Sequence, residues 1–217
     1  MAAASSAFGA TIQEIVQGRL PATLALHTPE GTPIGRLVPV TRAHLEDAFV
    51  IGKLTDWRNA NMSAFFTQFT ATPERTRAWL DKVVLAATNQ MIFLIYADDD
   101  QLIGHFGFKD LTEDEVLLDN AMRGERGGHP KLLQIAGETL IDWLFAAAKV
   151  RVVYGIVLTT NVPAIMMNRA MGFGLWDKYP LAKTEHQGET RWAMGEKGAV
   201  SPDNVYCYRV EIVRERA

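Results

Sequence analysis

The stretch that most narrows the fold runs from Glu115 to Leu158. An apolar segment, EVLLDNAM, is followed by the turn RGERGGHP, the long amphipathic PKLLQIAGETLIDWLFAAAK and the apolar run VRVVYGIVL. In the amphipathic part Leu132, Ala136, Leu140, Leu144 and Ala148 recur at helical spacing, flanked by Leu133, Ile141 and Phe145. A run as continuously apolar as VRVVYGIVL suits a strand covered on both faces. Strand, long helix and buried strand, in that order, predict a parallel crossover unit.

The segments around it read differently. LPATLALHT and IGRLVPV flank the turn signal Pro29-Glu30-Gly31 and predict a hairpin. Thr41 is placed to cap a helix carrying Ala48, Val50 and Leu54, and Thr55–Asn59 breaks that pattern as a loop would. Thr72 followed by Pro73 marks a second helix start. MIFLIYA, QLIGHFGFKDL and EVLLDNAM are closely spaced and predict an antiparallel meander. NVPAIMMNRAMGFG predicts a short helix, and FGLWDKY with ETRWAMG a final hairpin. The first twenty or so residues read as an arm with little helix. The order is mixed α/β (α+β): antiparallel strands, one parallel crossover, then a hairpin.

At 217 residues the chain suits one domain with extensions. A formal net charge of −3, with Lys and Arg scattered, argues against a nucleic-acid partner. Cys207 is the single cysteine, so no intrachain disulfide forms, and the five histidines are dispersed, so no metal site is expected. No apolar run is long enough to span a bilayer, and MAAASSAFGATIQEIV lacks the basic start and apolar core of a signal peptide. A cytoplasmic location with no membrane partner is the expectation.

The turn Arg123-Gly124-Glu125-Arg126-Gly127-Gly128-His129-Pro130 lies between a strand and a helix. Its glycines allow close backbone approach, and a helix start offers unpaired N–H groups, so the turn suits a phosphate. Arg123 and Arg126 add charge. Neither GxGxxG nor GxxxxGK[ST] is present.

This turn resembles the hallmark Q/R-x-x-G-x-G/A of the GNAT superfamily of acyl-CoA N-acyltransferases. Arg123, Arg126 and Gly128 take the three hallmark positions, with Arg126 where glycine is usual. Asn161, Ala164 and Gly172-Phe173 stand where the family carries Asn, a small residue and Gly-Phe. The element order agrees from about residue 36 to 195. The resemblance implies a GNAT-like fold: a twisted, mostly antiparallel sheet with one central parallel strand pair that splays, and flanking helices. It implies one domain over 36–217 with a C-terminal extension, preceded by an N-terminal extension and hairpin over 1–35. It implies acetyl-CoA as co-substrate and no metal. Pantetheine would pair with Asn120, Ala121 and Met122, pyrophosphate with amides from Gly124 to His129, and Asn161 would bond the pantetheine arm, with Ala164 on the flanking helix. The family's general-acid tyrosine position holds Asn168, an amide, which hydrogen-bonds but does not protonate a thiolate.

The chemistry needs a base for the acceptor amine. Glu115 and Asp119 are four apart on one strand and share a face, while Asn120 and Met122 belong with Val116 and Leu118 on the other. Glu115 resembles the base position of some family members, and Asp119 lies closer to the turn. His105, in LIGHFGF, shares a face with Lys109 and is the third candidate, against a hydrogen-bonded core role. Trp57, Arg58 and Asn59 lie where the family builds its acceptor loop, with Phe66 in the same region. Aromatic and arginine side chains suit a planar or anionic acceptor. The W-R-N run resembles acetyltransferases of nucleotide-linked amino sugars. The expectation is therefore an N-acetyltransferase acting on a small-molecule amine. A protein N-terminus or an antibiotic as acceptor stays open, as do a non-catalytic CoA-binding protein on the same fold and a homodimer.

Overall fold

The computed structural model describes residues 5–215. Its ten strands form one sheet in the order β1-β2-β4-β5-β6-β7-β10-β8-β9-β3. The helix α1 (Ser5–Val16) leads to the hairpin β1 (Leu24–His27) and β2 (Pro33–Pro39). Then come α2 (Ala48–Ala60), the short β3 (Thr67–Gln68), α3 (Pro73–Trp79), and the meander β4 (Met91–Ala97), β5 (Leu102–Lys109) and β6 (Glu115–Arg123). The crossover helix α4 (Leu132–Trp143) returns the chain to β7 (Val152–Leu158). After that lie α5 (Val162–Ala170), β8 (Leu175–His186), β9 (Glu189–Met194) and β10 (Val205–Val213). The expected mixed architecture is present: every pairing is antiparallel except that of β6 with β7.

That parallel pair is short. It matches only Glu115, Val116 and Leu117 with Val152, Val153 and Tyr154. Beyond Leu117 the strands part, leaving an edge of β6 unpaired inside a continuous sheet. A bulge accompanies the parting. Gly107 pairs with Asp119 and His105 with Met122, so Asn120 and Ala121 together oppose Phe106. Asn120 takes φ +56°, the left-handed region that asparagine tolerates better than most residues.

The bulge corrects the expected strand faces. Strict alternation sets Met122 with Val116 and Leu118. The extra residue reverses the alternation, so Met122 joins Asp119 and His105 on one face. The opposite face carries Phe106 and Phe108, against which α4 buries Leu132, Ala136 and Leu140.

Three local readings change. The break expected at Thr55–Asn59 is helical, and α2 continues to Ala60. Thr55 bonds its hydroxyl to the Ile51 carbonyl and meets the Thr76 hydroxyl, while Trp57 is buried, so tertiary packing overrides the local signal. Thr41 opens only a short 3-10 turn, and Asp47 caps α2, accepting from the Phe49 and Val50 amides. The first residues form the helix α1 rather than a loose arm, with Ile12, Ile15 and Val16 in the main core; residues 1–4 of that arm lie outside the described residues. Thr72 caps α3 with Pro73 in its first turn, as expected. The hairpin β8–β9 is present, but it does not end the chain's contribution to the sheet. β10 enters between β7 and β8 and pairs with both along seven positions. Among the described residues, no helix is long and apolar enough to cross a membrane.

Candidate active site

The site forms where β6 leaves β7. The turn after β6 is anchored from beneath: the amides of Gly124 and Glu125 both donate to the Ile103 carbonyl. Those two amides are therefore engaged, which narrows the expected phosphate cradle from Gly124–His129 to Arg126–His129. No partner is found among the described residues for the amides of Arg126, Gly127, Gly128 and His129. Gly127 (φ +120°) and Gly128 (φ +60°) hold backbone conformations that suit glycine. The Arg123 guanidinium folds back onto the carbonyls of Gly127 and His129 rather than pointing outward. Capturing the carbonyls leaves the amides to face a ligand. Arg126 is exposed at the rim. The helix α4 starts at Leu132, just past the turn. The residues thus fit an anionic group such as a pyrophosphate: donors without partners, glycine at the tight positions and a helix start behind them.

A side-chain bracket ties this turn to α2. Glu125 accepts from the Trp57 indole N–H (3.1 Å) and from Lys53 Nζ (2.6 Å). These contacts, Lys53 first, hold its carboxyl below the usual carboxylate range. Gly124 lies flat on the Trp57 ring: a Cβ there would be 2.1 Å from Trp57 Cδ2. Trp57 is 4% exposed and stacks on His105, with ring centroids 6.1 Å apart. It backs the glycine turn and is buried there.

His105 is buried, and its Nδ1 has no hydrogen-bond partner. Burial pushes its pKa down to about 4, while the Asn120 backbone and the Asp119 carboxylate pull the other way. It is neutral near pH 7. Asp119, on the same face, ion-pairs with Lys109 (2.9 Å) and accepts from the Asn120 side-chain amide (3.0 Å). The structure therefore brings Asp119 and His105 together beside the open strand edge. Glu115 stands apart at the paired end of β6, bound to Arg209 (2.6 Å), which also reaches Glu211.

Across the gap, Asn161 caps α5 by accepting from the Ala164 amide (3.2 Å), which uses its carbonyl oxygen and not its NH2 group. A Cβ built on Gly155 of β7 would be 3.8 Å from Asn168 Oδ1, so Asn168 faces β7. Asn59 clamps Ala71 through both backbone groups, a structural tie. Phe66 packs near Leu158, Leu181 and Cys207, and its carbonyl accepts from Trp192 N–H. Arg58 donates to the Thr67 carbonyl (2.8 Å) and lies over the rings of Phe65 and Phe69. Sequence reasoning missed Lys53, Phe69 and Arg75 as site neighbours. The Lys53–Glu125 contact spans 72 residues, and no spacing rule reaches that far. Among the described residues, no group of His, Cys, Asp and Glu is placed to hold a metal ion.

The parted parallel pair and the glycine turn before a helix are the features that the resemblance to acyl-CoA transferases implies. The sequence profile of the acetyltransferase (GNAT) domain matches residues 36–174, well over half of the chain. The chain belongs to the GNAT acetyltransferases, acyl-CoA-dependent N-acyltransferases. No curated protein sequence matches it. Among solved structures it is similar to the spermidine N-acetyltransferase from Vibrio cholerae in complex with CoA and spermine (TM-score 0.61, 13% identity, 83% of this chain and 95% of that one). It is also similar to a nucleotide-linked sugar GNAT, apo FdhC (0.58, 13%, 89% and 91%). A third is the Campylobacter jejuni N-acetyltransferase PseH in complex with acetyl coenzyme A (0.53, 17%, 82% and 98%). At these identities the likeness is one of fold.

Proposed function

We propose that the protein transfers an acetyl group from acetyl-CoA to the primary amine of a small molecule, and that the acceptor is an amino sugar carried on a nucleotide. The observation that carries this reading is the unpaired β6 edge beside a turn whose Arg126–His129 amides lack partners. An extended pantetheine arm fits the first, along Asn120–Met122, and a pyrophosphate the second. Asn161 and Ala164 at the start of α5 flank the opposite side, where the Asn161 NH2 group can donate to a pantetheine carbonyl. The thioester supplies an activated acyl carbon.

The chain's own residues do the rest. Asp119 attracts the acceptor's ammonium group and takes its proton, directly or through water. His105, neutral at working pH, does not repel that ammonium and offers a hydrogen bond to align it. Glu115 is the weaker candidate for the base because Arg209 holds it away from the gap. Asn168 hydrogen-bonds near the leaving sulfur, and solvent supplies the proton that a tyrosine there would give. The reading takes its acceptor from the Trp57-Arg58-Asn59 run and from the nucleotide-linked sugar enzyme that shares the fold.

The test is calorimetric titration with acetyl-CoA, followed by thiol-release assays on nucleotide-linked amino sugars, free amino sugars, aminoglycosides and peptides. Binding and turnover of the nucleotide-linked sugar are expected. Asp119→Asn should lower kcat about a hundredfold with acetyl-CoA affinity kept. Turnover of peptides alone removes the sugar. Binding with no turnover of any amine reduces the protein to a CoA binder.

A further inference from the structure

Arg58 is an under-compensated cation. Its guanidinium lies over both the Phe65 ring (4.4 Å to the centroid) and the Phe69 ring (4.2 Å). Its Nε is buried with no partner, and among the described residues no carboxylate pairs with it. A second guanidinium, Arg75, stacks on the same Phe69 at 3.3 Å. Burial and the Arg75 charge both make it harder for Arg58 to hold its proton, while Asp119 and Glu189 only partly offset this. Those two carboxylates are shared with other cations, Asp119 with Lys109 and Glu189 with Arg75 and Arg191. The surroundings of Arg58 therefore carry excess positive charge.

The two phenyl rings and the Thr67 carbonyl offset part of the cost of burying that charge, and a ligand anion would offset more. A structural tie to the Thr67 carbonyl needs one N–H, and an amide would provide it equally well. Arg58 lies close enough to the face that holds Asp119 and His105 for its charge to act on His105 and for Asp119 to act on it. A polyamine would meet repulsion here, and a ligand carboxylate or phosphate would meet charge-assisted bonds.

Resting on the acetyltransfer reading above, we infer that the acceptor is an amine bearing an anionic group, which Arg58 binds with Arg75 behind it while Asp119 meets the amine. The shared chemistry is a carboxylate or phosphate on the same molecule as the amine. It differs from that of the spermine bound in the Vibrio cholerae neighbour, a polycation.

The experiment uses matched pairs on the full chain: an aminohexose phosphate against the same aminohexose, an α-amino acid against its decarboxylated amine, and spermidine alone. Thiol release gives kcat/KM, and calorimetry on the CoA-loaded protein gives amine affinity without turnover. At least one anionic member should exceed its neutral partner about tenfold or more, with spermidine poorest. Whichever pair shows the preference identifies the anion. Arg58→Gln should collapse that ratio toward one through KM, with acetyl-CoA affinity unchanged. If that variant does not fold, Arg75→Gln should narrow the ratio by a smaller factor. Neutral amines or spermidine matching the anionic ones, or a ratio that survives Arg58→Gln, overturns the inference and leaves acetyltransfer standing. Absence of turnover with every amine despite acetyl-CoA binding overturns the activity instead. In that case calorimetry still decides the site, since equal binding of both members of each pair refutes it.

Discussion

The two ends of the β6–β7 pair use the same strands for opposite ends. At the paired end, Glu115 aligns with Val152 and its carboxylate is locked to Arg209, which spans to Glu211 and lies 3.8 Å over the Tyr154 ring. Glu115, Arg209 and Glu211 are thus all paired. At the parted end, the Arg126–His129 amides, His105 Nδ1 and Arg58 Nε all lack one. Unmade hydrogen bonds cost stability, and their clustering at one end is what the proposed ligand site accounts for. Two carboxylates four residues apart on one strand thus receive different tasks from their surroundings.

Gly124→Val should separate the ends most strongly. Its added carbons would overlap the Trp57 ring, displacing α2 or the turn. Denaturant titration should show a loss of about 3 kcal/mol. Acetyl-CoA binding should fall by at least tenfold even at temperatures where the variant stays folded. Unchanged binding would mean that the turn is not set by Trp57.

His105 gives the next effect, in pH. Its pKa is about 4 in the fold against about 6.5 in an open chain. Between those values the unfolded chain binds the proton and the fold does not. Stability from this group is therefore complete above about pH 6.5 and falls as the pH drops toward 4. The loss between pH 7 and pH 5 should be about 2 kcal/mol. In His105→Gln that part of the acid slope should vanish. A slope equal to the parent's would show that His105 is not buried neutral.

How much of this was legible follows from the same contrast. The crossover unit and the glycine turn are backbone features, encoded by local periodicity and by Gly127 and Gly128, and they could be read directly. The bulge could not be read, because Asn120 looks like any strand residue until Phe106 is placed opposite it. That one unread residue put Met122 on the wrong face. Trp57 was found, but as a wall of the acceptor cleft, since nothing local links it to Gly124 and Glu125. The long-range partners of Glu115 and Arg58, namely Arg209 and Phe69, depend on how β10 and the segment after α2 fold back. Neither position follows from spacing. Backbone features are thus legible in the sequence, while side-chain orientations and long-range partners are not.

The smallest effect tests the paired end. Arg209→Gln removes both ion pairs and the stacking over Tyr154, yet Arg209 is partly exposed, so solvent screening limits the loss to about 1 kcal/mol. The Glu115 carboxylate would be released to solvent, which hydrates it well. If the paired end only holds the strands together, kcat/KM for the best amine should stay within about twofold of the parent, because Asp119 and Lys109 are untouched. A fall of tenfold or more with stability corrected would place Glu115 in the proton path. The division between a closed structural end and an open chemical end would then fail, since Glu115 and Asp119 would be acting as one unit across the bulge.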